Sequence, residues 1–127
     1  MEEAKLLARK DFNIQLHTHR HSFSTVDETI AKKEITDNRA VLDRIVDYPT
    51  EHFCYPSGVW SKIQWPWLEQ INVRSATTCL PGLNDSESLP FGLTRFLDGE
   101  NVSKIEFKAE LFGFRELIRA LKKRILR

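Results

Sequence analysis

The chain has almost no charge to spare: 19 Lys and Arg face 18 Asp and Glu, a formal excess of +1 over 127 residues. A surface so balanced exerts no general pull on nucleic acid or anionic membrane, and predicts neither as a partner. Cysteine is scarce too. Cys54 and Cys79 are too few for a disulfide scaffold, and two buried thiols account for them as well as one bridge does. No apolar run approaches the roughly 18–20 residues of a membrane-spanning helix, and the acidic start Met1-Glu2-Glu3 is unlike the basic front of an export signal. Neither an internal repeat nor a low-complexity tract is present. At roughly 100–200 residues per domain, residues 1–127 read as a single domain. What the chain does have is histidine in one place: His17, His19 and His21 fall together, and His52 stands apart.

Hydrophobic spacing orders the chain. Ala4, Leu6, Leu7 and Ala8 recur among charges from Glu2 to Lys10, which predicts a short helix, and Phe12, Ile14 and Leu16 alternate with polar residues, which predicts a strand. Thr25 and Glu28 form a capping box for a long helix with its stripe on Ile30, Ile35, Val41, Leu42, Ile45 and Val46, ending at Tyr48-Pro49. Phe53-Cys54-Tyr55 predicts a buried strand running into the turn Pro56-Ser57-Gly58. A helix is expected from about Pro66 and a third strand over 73–78. Residues 87–100 read as irregular, and Ser103 with Glu106 caps a helix running close to the C-terminus. Strands alternating with helices predict an α/β fold of parallel βαβ units. Function in such folds collects at the C-terminal ends of the strands, where this chain places the histidines, the Tyr55–Gly58 turn and Thr77-Thr78-Cys79.

His17 and His21 are four apart, a spacing that puts both on one side of a helix or of an extended segment. Two neutral imidazoles and a carboxylate around zinc or a related divalent ion leave one position open for water, the layout of a catalytic site. Three solvated loop histidines are the bland alternative. His19 joins the other two only if the segment stays extended, and Thr18 offers a hydroxyl that can brace the loop.

Leu16-His17-Thr18-His19-Arg20-His21 resembles the H-[ST]-x-x-H metal motif of the polysaccharide deacetylase family. Phe53-Cys54-Tyr55-Pro56-Ser57-Gly58 resembles that family's strand with its aromatic-proline-x-glycine turn, and 75–84 its following strand and substrate-side loop. The likeness spans about residues 5–100. It implies a partial (β/α) barrel of the polysaccharide deacetylase type and a metal-dependent hydrolase that removes N- or O-acetyl groups from a polysaccharide or oligosaccharide. Zinc is the implied metal, with cobalt or nickel as substitutes. His17 and His21 match the metal pair, Thr18 the hydroxyl between them, and Tyr55, Pro56 and Gly58 the turn that walls the site and offers backbone N–H groups to an oxyanion.

Some family features have no counterpart. The strand ending in paired aspartates, which gives base and third ligand, should precede His17, yet the only aspartate there is Asp11, at the strand's entrance. Cys54 stands where many members carry an arginine, and nothing after His52 matches the histidine that supplies the acid. A full barrel takes roughly 250 residues. The resemblance therefore implies a domain lacking the N-terminal strands, with a partner chain as one way to complete it. The family usually works outside the cytoplasm.

Trp60, Trp65 and Trp67 follow the turn, and Trp60 is the one best placed to stack on a sugar ring, although clustered tryptophan more often packs a helix on a sheet. The tail from Arg115 to Arg127 is a basic amphipathic helix, expected to dock on the sheet with its charged face in water. Two alternatives stand beside the deacetylase reading: a non-catalytic remnant that binds metal or glycan, and a basic interaction module acting through this last helix.

Overall fold

A computed structural model describes residues 2–97, 99 and 101–125. The first helix, α1, spans Glu2–Ala8 and stops before Asp11, which takes a left-handed backbone with φ 63°. The long helix α2 covers Glu28–Leu42. Its N-cap is Asp27, whose carboxylate accepts the Ile30 N–H at 2.9 Å while Ser24 Oγ accepts the Asp27 N–H at 2.9 Å, so the expected Thr25–Glu28 box is displaced by two residues. The helix also ends earlier than the stripe suggested. Ile45 and Val46 lie beyond it, Ile45 packed against the core and Val46 buried.

Strand β1 is His52–Cys54 and β2 is Ser75–Thr77, paired in parallel with Phe53 opposite Ala76. The short helix α3, Trp65–Gln70, lies between them, with Pro66 in its first turn as expected. Single parallel bridges extend the pairing on both sides, Leu16 to Phe53 and Thr77 to Leu93. The Leu16 N–H donates to His52 O at 2.9 Å and the Cys54 N–H to Leu16 O at 3.0 Å. On the far side the Leu93 N–H donates to Ala76 O at 3.0 Å. Four parallel tracks thus lie side by side in chain order, although only the central two are long enough to be strands. The strand expected over residues 12–16 shrinks to its last member because the Ile14 N–H is taken by Tyr48 Oη at 2.6 Å. Gln15 then completes the ladder with its side chain, Oε1 accepting the N–H groups of Glu51 and His52 at 3.0 Å each.

Burial separates the two faces of this ladder. Leu16, Phe53 and Ala76 join Ile35 and Leu42 of α2 and Leu68 of α3 in the core. Alternation sends Gln15, His17, His52, Cys54, Ser75 and Thr77 to the opposite face, where they border an open groove of about 430 Å³. Parallel sheets are ordinarily covered on both sides. Here one side is packed against helices while the other is open.

The C-terminal helix expected as one piece is two: α4, Lys104–Leu111, and α5, Phe114–Ile125, separated at Gly113 with φ 72°. The Ser103–Glu106 capping box forms as expected. Docking on the sheet does not occur. Phe114, Leu117 and Leu121 of α5 are half exposed, and α5 is tied to α4 by guanidinium–carboxylate pairs, with Arg119 2.8 Å and Arg115 3.3 Å from Glu110. Leu126 and Arg127 of the expected tail lie outside the described residues.

Candidate functional site

The histidine loop is built by α2. The His17 N–H donates to Asn38 Oδ1 at 3.0 Å, the His19 N–H to Glu34 O at 3.0 Å, and the Arg20 N–H to Glu34 Oε2 at 2.8 Å. Asn38 and Glu34 are one helical turn apart, so a single face of α2 holds three points of the loop. Burial pushes the Glu34 carboxyl up, but the Arg20 N–H and guanidinium outweigh it and hold the acid below its ordinary range. Thr18 and His21 both have positive φ, 116° and 56°, and these two left-handed turns curl the loop back on itself.

That curl brings His17 and His21 together, with ring centroids 4.9 Å apart and planes tilted by 58°. His17 Nδ1 is 2.8 Å from Cys54 O. A carbonyl offers only lone pairs, so the ring donates its Nδ1–H and, when neutral, turns an unprotonated Nε2 outward. His21 is exposed, and His19 is exposed with no ring contact to the pair. Thr18 is 7% exposed, and its hydroxyl is buried without a hydrogen-bond partner. An oriented, free Nε2 beside a second imidazole fits two positions in the shell of a divalent ion. Among the described residues no set of three His, Cys, Asp or Glu converges to complete it.

The turn after β1 lies at the same end of the sheet. Pro56–Gly58 is a single 3-10 turn, with Ser57 at φ 55° and Gly58 at φ 67°. Pro56 is buried. The Tyr55 side chain is fully buried, and its hydroxyl donates to Phe91 O at 3.0 Å. Burial pushes the phenol up, so it stays neutral and structural, and any contact Tyr55 makes with a ligand falls to its backbone. Gly58 packs directly on Cys79. Trp60 stacks between Tyr55, at 6.1 Å, and Trp65, at 5.9 Å. It is half-buried.

The sequence carried no sign of Arg95, which borders the same groove as His17 and Cys54. Nor did it single out Asn38 and Glu34. Their signal was present as polar residues at helical spacing on a face that also buries Ala31, Ile35 and Leu42.

The family model for polysaccharide deacetylase matches residues 1–76. Among solved structures, the fold is similar to that of Streptococcus pyogenes deacetylase PplD in complex with acetate, with a TM-score of 0.76 and 19% sequence identity. The match covers 86% of this chain and 49% of the streptococcal one, so the chain spans about half the length of that protein. No curated protein matches the sequence.

Proposed function

The chain belongs to the polysaccharide deacetylase family, and from that premise we propose that it takes part in metal-dependent removal of acetyl groups from a carbohydrate polymer or oligosaccharide. The observation that carries this reading is the His17–His21 pair, with rings 4.9 Å apart and His17 Nδ1 anchored on Cys54 O. On this reading the two imidazoles are metal ligands. Bound there, zinc, or cobalt or nickel in its place, supplies a polarised acetyl carbonyl and a water acidic enough to attack it.

The chain's own residues do the positioning. Cys54 O fixes the tautomer of His17, while Asn38 and Glu34 fix the path of the loop on which both ligands ride. The Pro56–Gly58 turn walls the site beside them, and the buried hydroxyl of Thr18 is held ready for a partner the described residues do not provide. The third ligand, general base and general acid belong to carboxylate and imidazole groups elsewhere. Glu34 and Asp37, the acids nearest in the sequence of α2, are already bound to Arg20. We read the four tracks as an arc of a (β/α) barrel whose other strands, on this polypeptide or on a partner chain, bring those groups.

Titration with cobalt tests the reading. One ion per chain with the visible absorption of a low-coordinate site is expected, lost in both His17→Ala and His21→Ala. Stoichiometric binding that survives replacement of both histidines would overturn it.

A further inference from the structure

Because α5 does not dock on the sheet, its apolar stripe is bare. A helix turns by about 100° per residue, which places Phe114, Leu117, Ile118 and Leu121 within one arc of about 100°. Phe114, Leu117 and Leu121 are at least half exposed and Ile118 more than a third. Lys122 and Arg124, both exposed, fall just outside the two borders of that arc. The helix carries Arg115, Arg119, Lys122, Lys123 and Arg124 against Glu116 alone, so a chain that is almost neutral as a whole is basic here. Arg119 and Glu116 lie on the side away from the stripe. Their pairing at 3.0 Å, with Arg119 2.8 Å from Glu110 of α4, holds the helix with its stripe outward. Arg115 is likewise balanced by Glu106 and Glu110, whereas no carboxylate of the described residues pairs with Lys122 or Arg124.

Strands that complete the ladder do not reach this helix. Leu93 spends its N–H and its carbonyl on β2, at 3.0 Å and 2.8 Å, so the backbone groups of Thr94 turn to the outer edge. Asn84 takes both of them: its Nδ2 donates to Thr94 O at 2.8 Å, and its Oδ1 accepts the Thr94 N–H at 2.9 Å. This edge is closed to a further strand. It is also the edge beside α4 and α5, where Arg95, Phe96 and Leu97 share a cavity of about 240 Å³ with Phe107, Glu110 and Arg115. A second copy of α5 would bring like charges against Lys122 and Arg124. Nucleic acid would match those cations and leave the apolar stripe in water. An anionic bilayer answers both features, its acyl chains covering the stripe and its headgroups meeting the cations on the flanks.

We propose that α5 lies in the surface of a membrane containing anionic phospholipid, with Phe114, Leu117, Ile118 and Leu121 turned into the acyl boundary and Lys122 and Arg124 at headgroup level. The inference stands apart from the histidine pair and holds whatever ion that pair binds.

Co-sedimentation of the full chain with unilamellar vesicles tests it, comparing equal parts of phosphatidylcholine and phosphatidylserine with phosphatidylcholine alone. Partition into the anionic vesicles is expected to be stronger by at least about tenfold and to weaken as salt is raised. Leu117→Glu combined with Leu121→Glu should abolish partition. Lys122→Glu combined with Arg124→Glu should remove the preference for anionic lipid. All four side chains are exposed, so both variants should keep the thermal midpoint, the helix content and the cobalt uptake of the parent chain. Absence of partition, or equal partition into the two kinds of vesicle, overturns the proposal. Partition that persists in Leu117→Glu with Leu121→Glu overturns the assignment to α5. A concentration-dependent dimer that this variant abolishes, in a chain that does not bind vesicles, also overturns it and gives the stripe to a second copy.

Discussion

Replacing Gly58 by alanine should destabilise the fold by about 2–5 kcal/mol, because two separate penalties meet at one Cα. The first is conformational. Gly58 has φ 67°, and holding a residue with a Cβ in that left-handed region costs roughly 1–2 kcal/mol. The second is steric. A Cβ there would stand 2.7 Å from Cys79 Cβ, 2.8 Å from Cys79 Sγ and 3.3 Å from Cys79 N. A Cβ and a backbone nitrogen cannot swing aside as the tip of a long side chain can, so relief requires the turn and the end of β2 to move apart, at roughly 1–3 kcal/mol. Urea unfolding of Gly58→Ala, Cys79→Gly and the double variant separates the two. Removing the Cys79 side chain should recover the steric part and leave the conformational part, giving a coupling of about 1–3 kcal/mol. Gly92→Ala is the control. Its Cβ would meet Trp65 at 3.6 Å and Trp60 at 4.0 Å, ordinary contact distances, and the cost should stay below about 1 kcal/mol. A loss below about 1 kcal/mol for Gly58→Ala, or no coupling to position 79, would refute the reasoning.

Other outcomes follow from the same geometry. Tyr55→Phe should cost about 1–2 kcal/mol in urea unfolding, because the buried Phe91 carbonyl loses its donor; an unchanged midpoint would show that the carbonyl has another partner. The Glu34 carboxyl is held low in the folded chain, so its contribution is present in full above the unfolded value near 4.3 and is lost as the pH falls through the lower folded value. Thermal melting from pH 7 to pH 2 should show a fall below about pH 4 that is smaller in Glu34→Gln. An identical pH profile in the two proteins would remove Glu34 from the account. Asn38→Ala deletes the acceptor of the His17 N–H and should weaken cobalt binding by about tenfold, an effect typical of ligand-supporting groups, with Asn38→Asp restoring part of it. Equal cobalt affinity in all three proteins would mean that the loop holds its shape without α2.

The histidine pair was legible because its motif is local. Five consecutive residues carry both imidazoles, and the left-handed turns at Thr18 and His21 need only short-range geometry to bring the rings together. The proline turn was legible for the same reason. What escaped depended on distant partners. The alternation from Phe12 to Leu16 is genuine, but Tyr48 captures the Ile14 N–H from 34 positions away. The last helix has the amphipathic pattern of a docked element, yet the arginine–glutamate pairs join it to α4 and leave its apolar stripe exposed. Arg95 sits in a stretch without periodicity, and tertiary pairings, the parallel bridge between Thr77 and Leu93 and the Arg95 N–H bonded to Leu80 O, carry it to the groove.

The order of the four tracks also bears on how the chain forms during synthesis. Every lateral neighbour on the ladder is the next track to emerge, from Leu16 to β1, then β2, then Leu93. Each pairing can therefore close as soon as its second member leaves the ribosome, and no segment has to wait for a later one to be inserted between two already joined. Such a chain grows at its edge, one βα step at a time, and the face turned toward His17 is accessible at every stage of that growth.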